Sequence, residues 1–184
     1  MYADNTLTPR EAVRLCALGT LAASDGDTSM TYDELVLAVR HFVSRITGPS
    51  LELMGESIEL LRYEGLVEAE ESSDETNPTL CITKSGDEVL GTLLRANIRA
   101  GSSDLNELII ALKFRFLHRL ERAEQRDQID LMLEASESEL ARFEDLRGHH
   151  DGEIGHLTGW LDHDISRLEK RLDWLTKFKS KLEG

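Results

Sequence analysis

Several things are scarce in this sequence, and each scarcity removes a class of protein. There are two cysteines, Cys16 and Cys81, both in apolar surroundings. A chain of 184 residues can bury a core without a covalent staple, so both read as reduced, buried thiols of a reducing compartment. No apolar stretch approaches the roughly 18 residues of a membrane span. The N-terminal run MYADNTLTPRE lacks the basic region and apolar core of a secretory signal. A cytoplasmic protein with no membrane partner is expected. Aromatic residues make up 5 %, so the core should be built from Leu, Ile, Val and Ala. There is no glycine-rich phosphate loop, nucleophile elbow or metal-protease helix, so neither an enzyme nor a cofactor is implied.

Positive charge is scarce too. Lys and Arg number 21 against 35 Asp and Glu, for a net charge of −14. Residues 1–100 hold 8 bases and 17 acids, and residues 101–184 hold 13 and 18. An acidic surface repels phosphate at long range and slows association with nucleic acid. A DNA-binding role would have to rest on a few well-placed cations.

What is present reads as a folded, mainly α-helical chain with one short β-hairpin. Thr8-Pro9-Arg10-Glu11 starts a helix: Thr8 caps, Pro9 takes the first position and Glu11 completes a capping box. Val13, Leu15, Cys16, Leu18 and Leu21 give it an apolar stripe that ends before the Ser24-Asp25-Gly26-Asp27 turn. Thr31-Tyr32-Asp33-Glu34 repeats the capping box and opens a second helix carrying Leu35, Val36, Val39, Phe42, Val43 and Ile46. Gly48-Pro49 breaks the chain, and Ser50 is expected to cap a third helix over about 50–63, closed at Gly65 by a left-handed residue. Leu66–Glu70 alternates like a half-buried strand. A polar turn over 71–78 leads to a second strand at Thr79–Ile82. Thr83-Lys84-Ser85-Gly86 then caps a fourth helix with Val89, Leu90, Leu93 and Leu94. Three helices running through a glycine into a hairpin is the order of a winged helix-turn-helix.

Gly101-Ser102-Ser103-Asp104 reads as a joint, giving a winged-helix domain over 1–100 and a helical domain over 101–184. Helices are expected at about Leu105–Ala123 and Gln128–Leu146, followed by a loop over 148–152. The last helix places Leu161, Ile165, Leu168, Leu172, Leu175 and Leu182 at steps of 4, 3, 4, 3 and 7. Such a seam faces either a partner chain, as in a coiled coil, or helices of its own chain.

Ser57-Ile58-Glu59-Leu60-Leu61-Arg62-Tyr63-Glu64-Gly65-Leu66-Val67 resembles the end of the recognition helix and first wing strand of PadR-family transcriptional regulators. Cys81-Ile82-Thr83-Lys84-Ser85-Gly86 is similar to that family's second wing strand and Thr-x-x-Gly helix start, and the final helix from Gly159-Trp160-Leu161 is similar in layout to its dimerisation region. The resemblance implies a homodimer with two DNA-reading helices. It also implies C-terminal helices at the interface, here Leu161, Ile165, Leu168, Leu172 and Leu175, and in some members a small-molecule effector.

The exposed positions of the third helix are chiefly acidic: Glu52, Glu56, Glu59 and Glu64 against Arg62. Carboxylates accept from cytosine amino groups but do not hold phosphates. The candidate contacts to double-stranded DNA are therefore Arg40, His41, Arg45 and Lys84 for phosphates, with Ser50 and Ser57 as polar contacts. The alternative is a winged-helix protein that has lost DNA binding and uses its acidic surface for protein contacts. His149, His150, His156 and His163 lie close in sequence, but two ligands seven residues apart are too widely spaced for a usual zinc pair, and no metal is assigned. Trp160 and Trp174 suit packing first, with a ligand pocket as the resemblance's alternative.

Overall fold

The computed structural model describes residues 5–23, 30–48, 54–70, 78–99, 101, 103–152 and 154–183, with the backbone alone for 54–57. The elements are helices α1 (Pro9–Ala23), α2 (Tyr32–Thr47), α3 (Met54–Tyr63), α4 (Lys84–Leu94), α5 (Asp104–Phe116), α6 (Arg122–His149) and α7 (Leu157–Glu183), with a small sheet of β1 (Met30–Thr31), β2 (Val67–Ala69) and β3 (Thr79–Ile82). The chain forms two compact units, one of residues 1–97 with 103–120, the other of 98–102 with 121–184.

In the first unit α1 is the central post. Ala12, Val13 and every residue from Leu15 to Ala22 are buried, and α2, α3, α4 and α5 all pack on it. They contribute Leu35, Val39, Val43, Ile58, Leu61, Leu90, Leu93, Leu94, Leu108, Ile109, Leu112 and Phe116, each worth roughly 1.5–3 kcal/mol when fully buried. Both predicted capping boxes form. The Thr8 N–H and hydroxyl donate to Glu11 at 2.7 Å, and the Thr31 N–H donates to Glu34 at 2.9 Å. These bonds to Thr31 hold the Glu34 carboxyl below its ordinary pKa. The expected turn over 24–27, the Ser50 cap and the tip of the wing at 71–77 lie outside the described residues.

The sequence division at residue 100 places α5 in the C-terminal part, whereas in the fold α5 belongs to the first unit. The reason is its apolar stripe, which packs against α1 and α2. Lys113 fixes α5 further. It is fully buried and donates to the Leu94 and Ala96 carbonyls at 2.6 and 2.7 Å, at the end of α4. Burial pushes its pKa down to about 8. Arg115 stacks on Phe42 of α2 and on Phe116, with its carbon 4.7 and 4.9 Å from the ring centres.

The wing is a three-stranded antiparallel sheet in the order β1-β3-β2, not a two-stranded hairpin. Val67 faces Ile82, Glu68 faces Cys81 and Ala69 faces Leu80, while Met30 and Thr31 pair with Leu80 and Thr79 on the other edge. Two residues are too few to show alternation, so β1 left no trace in the sequence.

The helix expected over about 105–123 stops at Phe116, passes through a 3-10 turn at Leu117–Arg119 and turns extended at Leu120. α6 then starts at Arg122, where the Glu121 N–H donates to the Glu124 carboxylate at 3.2 Å. Glutamate is a poor signal for a helix start, which is why the break was misplaced. In the second unit α6 and α7 run antiparallel. Arg122 reaches the Leu182 carbonyl at one end, Lys179 pairs with Asp130 at 2.6 Å, and Arg147 pairs with Asp162 at 2.8 Å towards the other. Gln128, Ile129, Met132, Ser136 and Glu139 of α6 and Leu161, Leu168 and Leu175 of α7 are the buried positions of this pair.

Candidate nucleic-acid interface

The junction between α3 and β2 is fixed by backbone chemistry. The Gly65 N–H bonds the Arg62 carbonyl and the Leu66 N–H bonds the Leu61 carbonyl, at 3.1 and 2.9 Å, which closes the helix with a left-handed terminal residue. Gly65 takes φ +69°, a conformation glycine adopts at least strain. The Thr83 hydroxyl donates to the Gly65 carbonyl at 2.7 Å and accepts from the Gly86 N–H at 3.1 Å, so the cap of α4 is tied to the exit of α3. A Cβ on Gly86 would lie 2.1 Å from the Leu66 carbonyl oxygen, so only glycine lets α4 approach this closely. Together these bonds place Lys84, the first residue of α4, beside the end of α3.

The charges of the first unit sort into two sets. Arg14 pairs with Glu64, Arg119 pairs with Asp87 at 2.8 Å, Lys113 is buried on carbonyls and Arg115 is stacked between rings. Arg10 and Arg95 also have partners. Arg40, Arg45, Arg62 and Lys84 are exposed and make no ion pair among the described residues. They lie on α2, on α3 and at the start of α4.

Of the residues read from the sequence, Arg40, His41 and Arg45 share the exposed C-terminal half of α2, and Lys84 stands at the α3 exit. Ser57 lies within α3, where only its backbone is described, and Ser50 lies outside the described residues. The sequence left Arg62 out because it counted the helix as acidic overall. In the fold Ile58 and Leu61 point into the core, and Glu59, Leu60, Arg62 and Tyr63 point out, Leu60 45 % and Tyr63 92 % exposed. Tyr32 of α2 joins Glu59, Arg62 and Tyr63 around an open concavity of about 580 Å³. Burial first, then the charges of Glu59 and Asp33, raises the Tyr32 pKa. A three-residue stagger between buried and outward positions was the available signal.

In the second unit Leu161, Leu168 and Leu175 are buried within their own chain, while Ile165 and Leu172 are half-buried. Trp160 packs on Phe143 with ring centres 6.0 Å apart, and Trp174 stacks on Phe178 at 5.6 Å. Each tryptophan leaves about half its surface exposed, 52 % and 51 %. His149 bonds the Asp145 carbonyl in its own helix at 2.9 Å, and no group of three or more metal-ligating side chains gathers among the described residues. Cys16 is buried, and burial, only partly offset by Arg115, raises its pKa to about 11, so the thiol is unreactive. No helix of the described residues is long and apolar enough to cross a membrane.

Residues 2–179 match the family model described as "Putative AphA-like transcriptional regulator". No curated protein matches the chain. Among solved structures, Bacillus subtilis PadR in complex with operator DNA is 15 % identical, covering 92 % of this chain and 98 % of that one, at a TM-score of 0.37. The same regulator in complex with p-coumaric acid is 14 % identical over 94 % and 99 %, at 0.38. A PadR-like transcriptional regulator from Bacillus cereus is 18 % identical over 92 % and 94 %, at 0.38.

Proposed function

From the premise that this chain belongs to the AphA-like family of transcriptional regulators, we propose that it regulates transcription in the cytoplasm as a homodimer that binds double-stranded DNA. The observation that carries the reading is the sorting of charge in the first unit. In a chain of net charge −14, the exposed bases of this unit left without an ion pair among the described residues are Arg40, Arg45, Arg62 and Lys84, and all four lie on or beside the helix-turn-helix. Arg14, Arg119, Lys113 and Arg115 of that unit are held by carboxylates, carbonyls or rings. Cations kept free of internal partners are available to phosphates, and α3 is then the helix that enters the major groove.

The dimer is proposed to form through the C-terminal helices. Leu161, Leu168 and Leu175 are covered by their own chain, so the half-buried Ile165 and Leu172 and the exposed Trp160 and Trp174 are among the apolar groups of α7 left for a second copy. A small-molecule effector is consistent with this arrangement, with no residue assigned to it. No catalytic step or cofactor is part of the reading.

The test is binding of the full-length protein to genomic duplex fragments, including its own upstream region, at about 50 mM and about 200 mM salt. With four phosphate-contacting cations per protomer, a dimer should show log K falling with log salt at a slope of about −7. Changing Arg40 and Arg45 to Glu should flatten it by about half. No selective binding at the lower salt would leave the acidic surface as the functional one and favour a protein-interaction module.

A further inference from the structure

The acidity of α3, which argues against phosphate contacts, has a specific use in base reading. The carboxylates of this helix are not equivalent. Glu64 is paired with Arg14 and so is committed to holding the α3 exit to α1. Glu59 is exposed and has no ion pair or hydrogen bond among the described residues, even though Arg62 lies one turn further along the same helix. It opens onto the concavity it shares with Arg62, Tyr63 and Tyr32. Leu60, nearly half exposed, is its apolar neighbour.

A carboxylate on the outward face of a groove-reading helix has few acceptable neighbours in duplex DNA. Phosphates repel it, and guanine and thymine present acceptors in the major groove. Adenine offers an amino group beside an acceptor, N7, which a carboxylate also meets unfavourably. Cytosine presents an amino donor, N4–H2, next to a carbon edge.

We infer that Glu59 is a base-reading residue of this protein that accepts a hydrogen bond from a cytosine amino group, so that the half-site contains an obligatory C·G pair under the last turns of α3. The inference rests on the DNA-binding reading above. Electrostatics make the arrangement selective: on any other sequence Glu59 meets acceptors or phosphate, so nonspecific complexes are weakened more than the specific one. An acidic regulator of this kind trades phosphate affinity for discrimination.

The experiment is in-vitro selection from a randomised duplex library at about 50 mM salt with the full-length protein, followed by anisotropy titration of the selected duplex. It is run with wild type, Glu59→Ala and Glu59→Gln, each checked for an unchanged thermal melt, as expected for an exposed side chain. Wild type should enrich a motif with an invariant cytosine. Glu59→Ala should lose the preference at that one position and bind the wild-type motif about 10-fold more weakly, within the usual range for one base contact. Glu59→Gln should move the preference from C towards A, because an amide presents both a donor and an acceptor to adenine. If wild type enriches a motif that both variants select unchanged, the base-reading role is overturned while DNA binding stands. If wild type enriches nothing, the DNA-binding reading fails first and the inference with it.

Discussion

Lys113 offers a measurable link between a buried charge and the stability of the first unit. Its ammonium group is removed from water and held by the Leu94 and Ala96 carbonyls, and its pKa falls from 10.5 to about 8. The unfolded chain therefore binds a proton that the folded chain has released between about pH 8 and pH 10.5, so the unfolding free energy rises with pH across that window. A difference of about 2.5 pKa units is worth about 3 kcal/mol at 1.36 kcal/mol per unit, and about 2.5 kcal/mol of it should be regained by pH 10. Lys113→Met removes the titration. At pH 7 the substitution also leaves two buried carbonyls unpaired, at roughly 1–3 kcal/mol each, against relief of the desolvation penalty. The two effects nearly cancel there, and a net loss of about 1 kcal/mol is expected. The assay is urea unfolding of both proteins at pH 7, 8, 9 and 10. The wild-type stability minus that of Lys113→Met should climb by about 2.5 kcal/mol from the first pH to the last. A difference that stays flat would refute the account, because it would mean that Lys113 titrates as it does in the unfolded chain.

Other substitutions probe the remaining joints. Gly86→Ala forces a methyl group into the Leu66 carbonyl, a backbone atom that cannot swing aside, and should lower stability by about 1–3 kcal/mol in denaturant melts. Thr31→Ala should cost about 1 kcal/mol through loss of the α2 cap, and NMR titration should show the Glu34 pKa rising back towards its ordinary value. Leu168→Ala should lose about 2–5 kcal/mol, and the loss should be independent of protein concentration, because Leu168 is buried by its own chain. A loss that appears only on dilution would instead assign that seam to the contact between protomers.

Much of the first unit was legible because its helices announce themselves with side chains that act locally. Thr8-Glu11 and Thr31-Glu34 make their bonds within one turn, so sequence spacing alone predicts them. Gly65 and Thr83 are similar: each serves a turn whose geometry demands that residue type. What was hidden depends on the third dimension. The joint expected at residue 100 is a true break in the helices, yet the stripe on α5 is complementary to α1 and α2, and nothing in its own pattern says so. The seam of leucines on α7 has the same periodicity whether a partner or α6 covers it, and the fold gives Leu161, Leu168 and Leu175 to the chain itself. The sequence picked out Arg40, His41, Arg45 and Lys84 by charge, and the fold leaves all four exposed. The sequence could not separate Glu64, neutralised by Arg14, from Glu59, which makes no ion pair among the described residues, because that distinction is a contact 50 residues apart in sequence.

The place of α5 has a practical consequence for anyone dissecting this protein. A fragment cut at residue 100 would discard Leu108, Ile109, Leu112 and Phe116 and leave the flanks of α1 and α2 bare, together with the two carbonyls that Lys113 satisfies. Such a piece should be insoluble or molten. The smallest excerpt worth expressing runs through Leu120, and a fusion or crystallisation design that respects that endpoint retains the whole interior of the first unit.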